Sequence, residues 1–212
     1  MNLESNKVVD YNRLQTGSES DGFTEIRYSQ MANMIPKEAI RIVDMGCGIG
    51  RGGDVLKCLR PEVTMIGIDC VPERIARLNP NTYIEAHTAF SMDLPMDDRS
   101  VDAVIAGEFL EHVLPKYIDL TLAEFFRILK LRGVLCMTTP NPYYIKNKIK
   151  NLSVLTDHSH MTQHYPSILR HRLMEVDFSK ISIRGSGRVS NIIGSRFPIF
   201  LYGSYLITAI KW

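Results

Sequence analysis

The stretch VDMGCGIGRGG, residues 43–53, sets five glycines in eight positions directly behind a short apolar run. Glycine weakens helices and strands, so such a cluster needs a backbone reason. The run before it, Ile40 to Met45, has only Arg41 and Asp44 as charged members and reads as a buried strand of a parallel sheet. After it, Val55, Leu56 and Leu59 fall on one helical face. The segment is a strand, a glycine turn and a helix. A plain turn needs one glycine. Five point to a ligand that approaches the main chain.

Two glycine frames overlap here. Gly48, Gly50 and Gly53 spell G-x-G-x-x-G, which alone is a weak dinucleotide signal. The frame Asp44-x-Gly46-x-Gly48-x-Gly50 fits better and puts a carboxylate at the strand end. That carboxylate repels a pyrophosphate and suits a ligand that is cationic or zwitterionic near the loop. VTMIGID, residues 63–69, reads as a second buried strand ending in Asp69. A carboxylate there can accept both ribose hydroxyls of an adenosine, or it can cap a helix starting at Val71.

VVDMGCGIGRGG with GIDCVPERI, followed by DLPMDDRSVDAVIAGEFLEHV, resembles the class I S-adenosylmethionine-dependent methyltransferases. It is most similar to the branch that includes ubiquinone-biosynthesis and small-molecule O-methyltransferases, whose pattern runs LPF…SFDVV…VLEHV. ILKLRGVLCMTTPNP looks like the fifth strand and following turn of that fold. The resemblance runs from about residue 27 to the C-terminus. It implies a Rossmann-like α/β fold: a mostly parallel seven-stranded sheet with helices on both faces. It also implies S-adenosylmethionine as cofactor and S-adenosylhomocysteine as product. The cofactor has a sulfonium and an ammonium group and no phosphate, as the Asp44 frame asks. The expected cofactor residues are Asp44, Gly46, Cys47, Gly48, Gly50, Asp69 and Cys70, with Ser91 and Met92 at the adenine. Gly107 and Glu108 are expected at the methionine end, within reach of Arg27. One departure is Phe90, which stands where the branch has an acidic residue before LP. Cys47 reads as a small residue that fits the loop.

The chain has 212 residues, 45% apolar content and a net charge of only +2, which suits one soluble domain with a sizeable core. The four cysteines lie far apart with no C-x-x-C pair, and no apolar segment opens the chain. Both features lead to the expectation of a cytoplasmic protein with reduced thiols. The apolar stretch near residues 192–210 is broken by Arg196, Pro198 and Gly203, so no membrane span is expected. Residues 141–212 carry ten basic against three acidic side chains. That excess is either a solvated face or the mark of an anionic acceptor, phosphorylated or linked to a nucleotide or lipid. Nucleic acid is not expected, because the basic residues are scattered and no RNA-binding module is present.

Residues 1–22 are polar and turn-rich and read as a flexible arm; residues 23–212 read as one methyltransferase domain. Its 141–165 segment is long for a loop and reads as a lid with a short basic helix. Three of the six histidines cluster in DHSHMTQHYP, as His158, His160 and His164. An alcohol acceptor needs its proton removed, and a histidine can do that near neutral pH. The resemblance places His160 on the branch's D-P-x-H histidine, which makes it the first catalytic candidate, with His158 and His164 behind it. No cysteine and only Asp157 joins the three, so no metal site is expected. His112 reads as a residue that positions helix and loop. Two other classes stay open: a nicotinamide-dependent oxidoreductase on the same glycine loop, and a non-catalytic methyltransferase-like partner subunit.

Overall fold

The computed structural model describes residues 3–16 and 19–212. Seven strands form one sheet: β1 (Arg41–Met45), β2 (Thr64–Asp69), β3 (Tyr83–Thr88), β4 (Val101–Gly107), β5 (Leu129–Pro140), β6 (Phe178–Ser186) and β7 (Ser204–Lys211). Their order is β3-β2-β1-β4-β5-β7-β6. The first five are parallel, and β7 runs antiparallel between β5 and β6. This is the expected α/β fold, with the expected antiparallel edge.

Strand alternation divides the core into two layers. On one face Ile42, Met65, Ala103 and Ile105 pack against α2 (Thr24–Ala32) and α3 (Arg51–Leu59) through Met31 and Leu56, with Ile35 in the turn after α2. On the other face Val43, Ile66, Val104 and Leu135 meet α5 (Ile118–Ile128) and α7 (Pro166–Glu175) through Leu122, Phe125, Leu169 and Leu173. The strands are buried on both sides, which is why their sequences are continuous apolar runs.

The five glycines have two separate reasons. Gly46, Gly48 and Gly50 have φ of 67°, 55° and 92°, the left-handed region that lets the chain turn from β1 into α3. Gly52 and Gly53 make room instead. A Cβ on Gly52 would lie 2.0 Å from Cζ of Tyr28, and one on Gly53 would lie 1.9 Å from the Tyr83 hydroxyl oxygen. Both rings press on α3 because both hydroxyls reach Asp44 beneath the loop. Gly52→Ala should therefore destabilise the fold by about 1–3 kcal/mol, the usual cost of overpacking. A lower urea midpoint at unchanged slope checks this; an unchanged midpoint would mean that Tyr28 swings aside freely.

The expected arm is partly helical. α1 (Leu3–Arg13) forms because Val8 and Val9 fall toward the protein, where Val9 is buried. Residues 1–2 and 17–18 of that arm lie outside the described residues. The 141–165 segment contains the short helix α6 (Ile145–Ile149). A further short helix, α8 (Arg188–Ile193), follows β6.

Candidate active site

The C-terminal ends of β1, β2 and β4 open into a cavity of about 790 Å³, within the ~300–1,000 Å³ usual for small-molecule sites. Its walls include Gly46, Cys47, Gly48, Asp69, Cys70, Phe90, Ser91, Met92, Gly107 and Glu108. These come from the ends of neighbouring strands, where an open α/β sheet builds its ligand sites. The N-terminal segment closes one side. Arg27 lines the cavity and pairs with Asp21 at 3.0 Å and Glu108 at 3.7 Å. The Tyr11 hydroxyl donates to the His158 carbonyl at 2.6 Å, and Arg74 donates to the Asn12 and Gln15 carbonyls.

Asp69 faces the cavity. Its carboxylate accepts the Gly48 N–H at 3.0 Å and the Val71 N–H at 2.9 Å, with Arg74 Nη1 at 3.8 Å. The first helical turn there is capped by Val71, not Asp69. Burial raises the Asp69 carboxyl, partly offset by these donors. Burial also pushes the Cys70 thiol up to about 12 and the Cys47 thiol well above its usual range, so neither is a thiolate nucleophile at neutral pH. Glu108 has a φ of 50°, a strained value for a residue with a side chain, and its N–H is held by the Thr138 carbonyl and hydroxyl.

Three expected site residues do not line the cavity. Asp44 is fully buried behind the loop, its two oxygens taken by the hydroxyls of Tyr28 at 2.8 Å and Tyr83 at 2.6 Å. Burial raises its carboxyl to about 6 against the lowering by those two donors. Its influence on the cavity is through charge, not contact. Gly50 is the N-cap of α3 and serves the turn. His164 is buried away from the cavity and hydrogen-bonded to Thr162 Oγ1 at 2.9 Å. It ties the segment before α7 to Thr162 and does not face the cavity.

His160 and His158 do line the cavity, and His160 has company that the sequence reading missed. Its ring lies 5.1 Å from that of His112, and both stand beside the fully buried Glu111. His160 Nδ1 lies 2.7 Å from the Val154 carbonyl and His112 Nδ1 lies 2.7 Å from the Ser159 carbonyl. A carbonyl only accepts, so both Nδ1 atoms carry a proton, and His160 Nε2 lies 4.0 Å from Asp157 Oδ2. Burial drops His112 to about 4, so it is neutral at physiological pH. Burial, with Glu108 nearby, raises Glu111 well above the usual carboxylate range. One donor atom from each of Glu111, His112 and His160 lies within 4.8 Å of the others, the arrangement among the described residues that could hold a metal ion. The spacing of the three histidines in DHSHMTQHYP concealed this, because Glu111 and His112 come from the turn after β4. Met161 and Thr162 N–H groups bind the Glu111 carbonyl and join the two segments. No helix among the described residues is long and apolar enough to cross a membrane.

Comparison with known proteins places this geometry. Residues 43–137 match a family described as a methyltransferase domain. A probable S-adenosylmethionine-dependent methyltransferase of Mycobacterium tuberculosis is 30% identical over 101 residues, 47% of this chain and 35% of that protein. A fatty-acid O-methyltransferase of Mycolicibacterium smegmatis is 31% identical over 120 residues, 55% of this chain and 43% of that protein. The chain thus spans less than half the length of these curated relatives. A solved S-adenosylmethionine-dependent methyltransferase from Archaeoglobus fulgidus superposes with a TM-score of 0.70 at 21% identity, covering 95% of this chain and 100% of that one. These matches favour a methyltransferase domain over the nicotinamide alternative. With the seven-stranded sheet and the glycine loop in place, residues 43–137 match a methyltransferase domain and the whole chain has the fold of the S-adenosylmethionine-dependent methyltransferases.

Proposed function

We propose that the chain transfers the methyl group of S-adenosylmethionine to an oxygen of a small-molecule acceptor in the cytoplasm. The observation that carries this reading is one cavity with two differently built ends. At the first, the Asp69 carboxylate faces the cavity where ribose hydroxyls can donate to it, and Ser91 and Met92 stand where an adenine would lie. The loop Gly46–Gly48 and the turn Gly107–Glu108 line the same wall for the methionine end, with Arg27 beside them. At the second, Glu111, His112 and His160 present acceptor atoms to the interior.

The cofactor, when bound, supplies an activated methyl group. The chain supplies alignment and shelter from water. His160 is the acceptor-side residue in this reading: its ring is oriented by the Val154 carbonyl, and its Nε2 lone pair meets the acceptor oxygen as the hydroxyl proton leaves. The basic excess of the final third does not line the cavity, whose walls from that part of the chain are Asp157, His158, Ser159 and His160. Lys146, Lys148 and Lys150 stand instead on the segment leading to it. This supports an acceptor whose anionic group stays at the mouth while its reacting oxygen enters. Mass spectrometry of purified protein with S-adenosylmethionine and phosphorylated, nucleotide-linked and fatty-acid acceptors tests the proposal. Gain of one methyl on an acceptor oxygen supports it; methylation confined to amines would overturn the oxygen assignment.

Asp44 gives a pH signature. Its folded value of about 6 lies above the ordinary 3.8, so its protonation stabilises the empty fold at low pH, and that contribution is lost as pH rises through about 6. Cofactor binding runs the other way, since a cationic ligand favours the ionised carboxylate. Affinity should weaken by up to about tenfold per pH unit below about 6, and Asp44→Asn should flatten the profile. Calorimetry across that interval reads it; a flat parent profile would show that Asp44 serves only to hold Tyr28 and Tyr83.

A further inference from the structure

We propose that Arg74 is a positioning residue that couples the cofactor end of the cavity to the acceptor end through the N-terminal segment. The inference rests on the cofactor-binding part of the methyl-transfer reading and adds an order to it: the cofactor binds first and completes the acceptor end.

Residues 8–16 lie over the cavity as a strap, and Val8, Tyr11, Asn12, Leu14, Gln15 and Thr16 line it. Little apolar contact holds the strap: Val9 is buried, but Leu14 is 82% exposed. Its other anchors are polar and come from two separate walls. On the β2 side they come from the turn α4 (Pro72–Ile75). Arg74 Nη2 donates to the Asn12 carbonyl at 2.8 Å and the Gln15 carbonyl at 2.5 Å, and Glu73 pairs with Arg13 at 2.9 Å. On the side of the histidines, the Tyr11 hydroxyl donates to the His158 carbonyl at 2.6 Å. Gln15 Nε2 reaches the Ser159 carbonyl at 3.5 Å, the long limit of a hydrogen bond. A segment tied mostly by polar bonds, with little core of its own, opens at low cost.

Arg74 stands at the junction. It is buried, and a buried charge is costly unless it is paired. Nη1 lies 3.8 Å from Asp69 Oδ2 and Nε lies 3.9 Å from Glu19 Oε1, while Nη2 holds the two carbonyls. Those carbonyls belong to the end of α1, where backbone acceptors lack partners within the helix and the dipole favours a cation. A planar, branched guanidinium can face a carboxylate on one side and two carbonyls on another; the ammonium of a lysine presents one point. The Ser159 carbonyl that Gln15 reaches is the one that fixes the His112 ring. One chain of contacts thus runs from Asp69 through Arg74 and the strap to His112 and to the segment that carries His160.

Cofactor binding drives this chain of contacts in one direction. Ribose hydroxyls donating to Asp69 fix the carboxylate that faces Arg74, and the closed strap sets Tyr11, Asn12 and Gln15 against the ligand. A ligand that gains contacts only in the closed state shifts the strap toward it. Closure then holds the His158 and Ser159 carbonyls, and the acceptor meets a finished site. By linkage, an acceptor that favours the closed strap tightens the cofactor by the same factor.

Hydrogen–deuterium exchange of the full chain, read by mass spectrometry with and without S-adenosylhomocysteine, tests the coupling, and calorimetry follows binding in the same samples. In the parent the ligand should slow exchange at least about tenfold in residues 8–16 and in residues 158–162. Arg74→Lys keeps a positive charge beside Asp69 but should lose the slowing in both segments. Its product affinity should fall by about tenfold or more, as for a lost hydrogen bond to a charged group. Tyr11→Phe leaves α4 untouched and should keep the slowing in 8–16 while losing it in 158–162. If Arg74→Lys does not fold, Tyr11→Phe decides. An Arg74 that only braces the fold would make Arg74→Lys exchange faster by the same factor with and without ligand. That result overturns the coupling, as does slowing in 158–162 that survives Tyr11→Phe. If the parent binds the product with no slowing in either segment, only the coupling falls. If the parent binds no S-adenosylhomocysteine, the cofactor reading falls and the coupling with it.

Discussion

His160→Ala should lower the turnover of methyl transfer by roughly 10²–10⁴-fold, the range for loss of a positioned group that manages a proton in the transition state. The dissociation constant of S-adenosylhomocysteine should hardly move. The split follows from position. Asp69, Gly48 and Ser91 line the cavity where we propose that adenosine lies, whereas His160 clusters with Glu111 and His112. Removing the imidazole leaves the Val154 carbonyl without its donor, a local loss within the 141–165 segment. His158→Ala should cost much less, because its ring is exposed and its carbonyl, which the substitution keeps, makes the contact with Tyr11. Turnover of His160→Ala within a few-fold of the parent would remove His160 from the chemistry and leave it a lid-packing residue.

Asp69→Ala should weaken cofactor binding by roughly 1.5–3 kcal/mol, the range for hydrogen bonds to a charged group, which is about 10- to 150-fold in affinity. Two contributions add. The carboxylate would lose its bonds to the ribose hydroxyls, and the Gly48 and Val71 N–H groups would lose their acceptor. The second loss also loosens the loop. Asp69→Asn separates them, because the amide keeps one acceptor oxygen for the backbone and loses the charge. If calorimetry gives Asp69→Ala the parent's affinity in a folded protein, Asp69 is a loop brace and not a ribose ligand.

What could be read from the sequence was local. β1, the glycine loop and α3 are written within nineteen contiguous residues, and the two-sided burial of β1, β2 and β4 is written in their apolar runs. The position of Asp69 at the cavity was legible because it ends a buried strand. What was not legible depends on distant partners. Nothing near Gly52 and Gly53 says that two tyrosines from α2 and β3 will lean on them to reach Asp44. The same contact explains why Asp44 is behind the cavity wall rather than in it. Glu111 was hidden for a related reason. In EFLEHV a surface carboxylate and a fully buried one look alike, and only the fold brings Glu111 and His112 to His160, 49 and 48 positions further along the chain. His164 lies four positions after His160 and looked equivalent, but it turns into the protein toward Thr162. The helix at Leu3–Arg13 was missed because its sequence is polar; its ordering comes from contacts with Arg74 and the lid that no local pattern announces.

Calorimetric titration of the purified chain with S-adenosylmethionine, S-adenosylhomocysteine and NAD tests the central claim most directly. The loop geometry, the buried negative charge of Asp44 and the single acidic ribose site predict saturable one-to-one binding of the first two ligands. They also predict no heat from NAD, whose pyrophosphate would face that charge. Tight binding of NAD with no response to either S-adenosyl ligand would contradict the account.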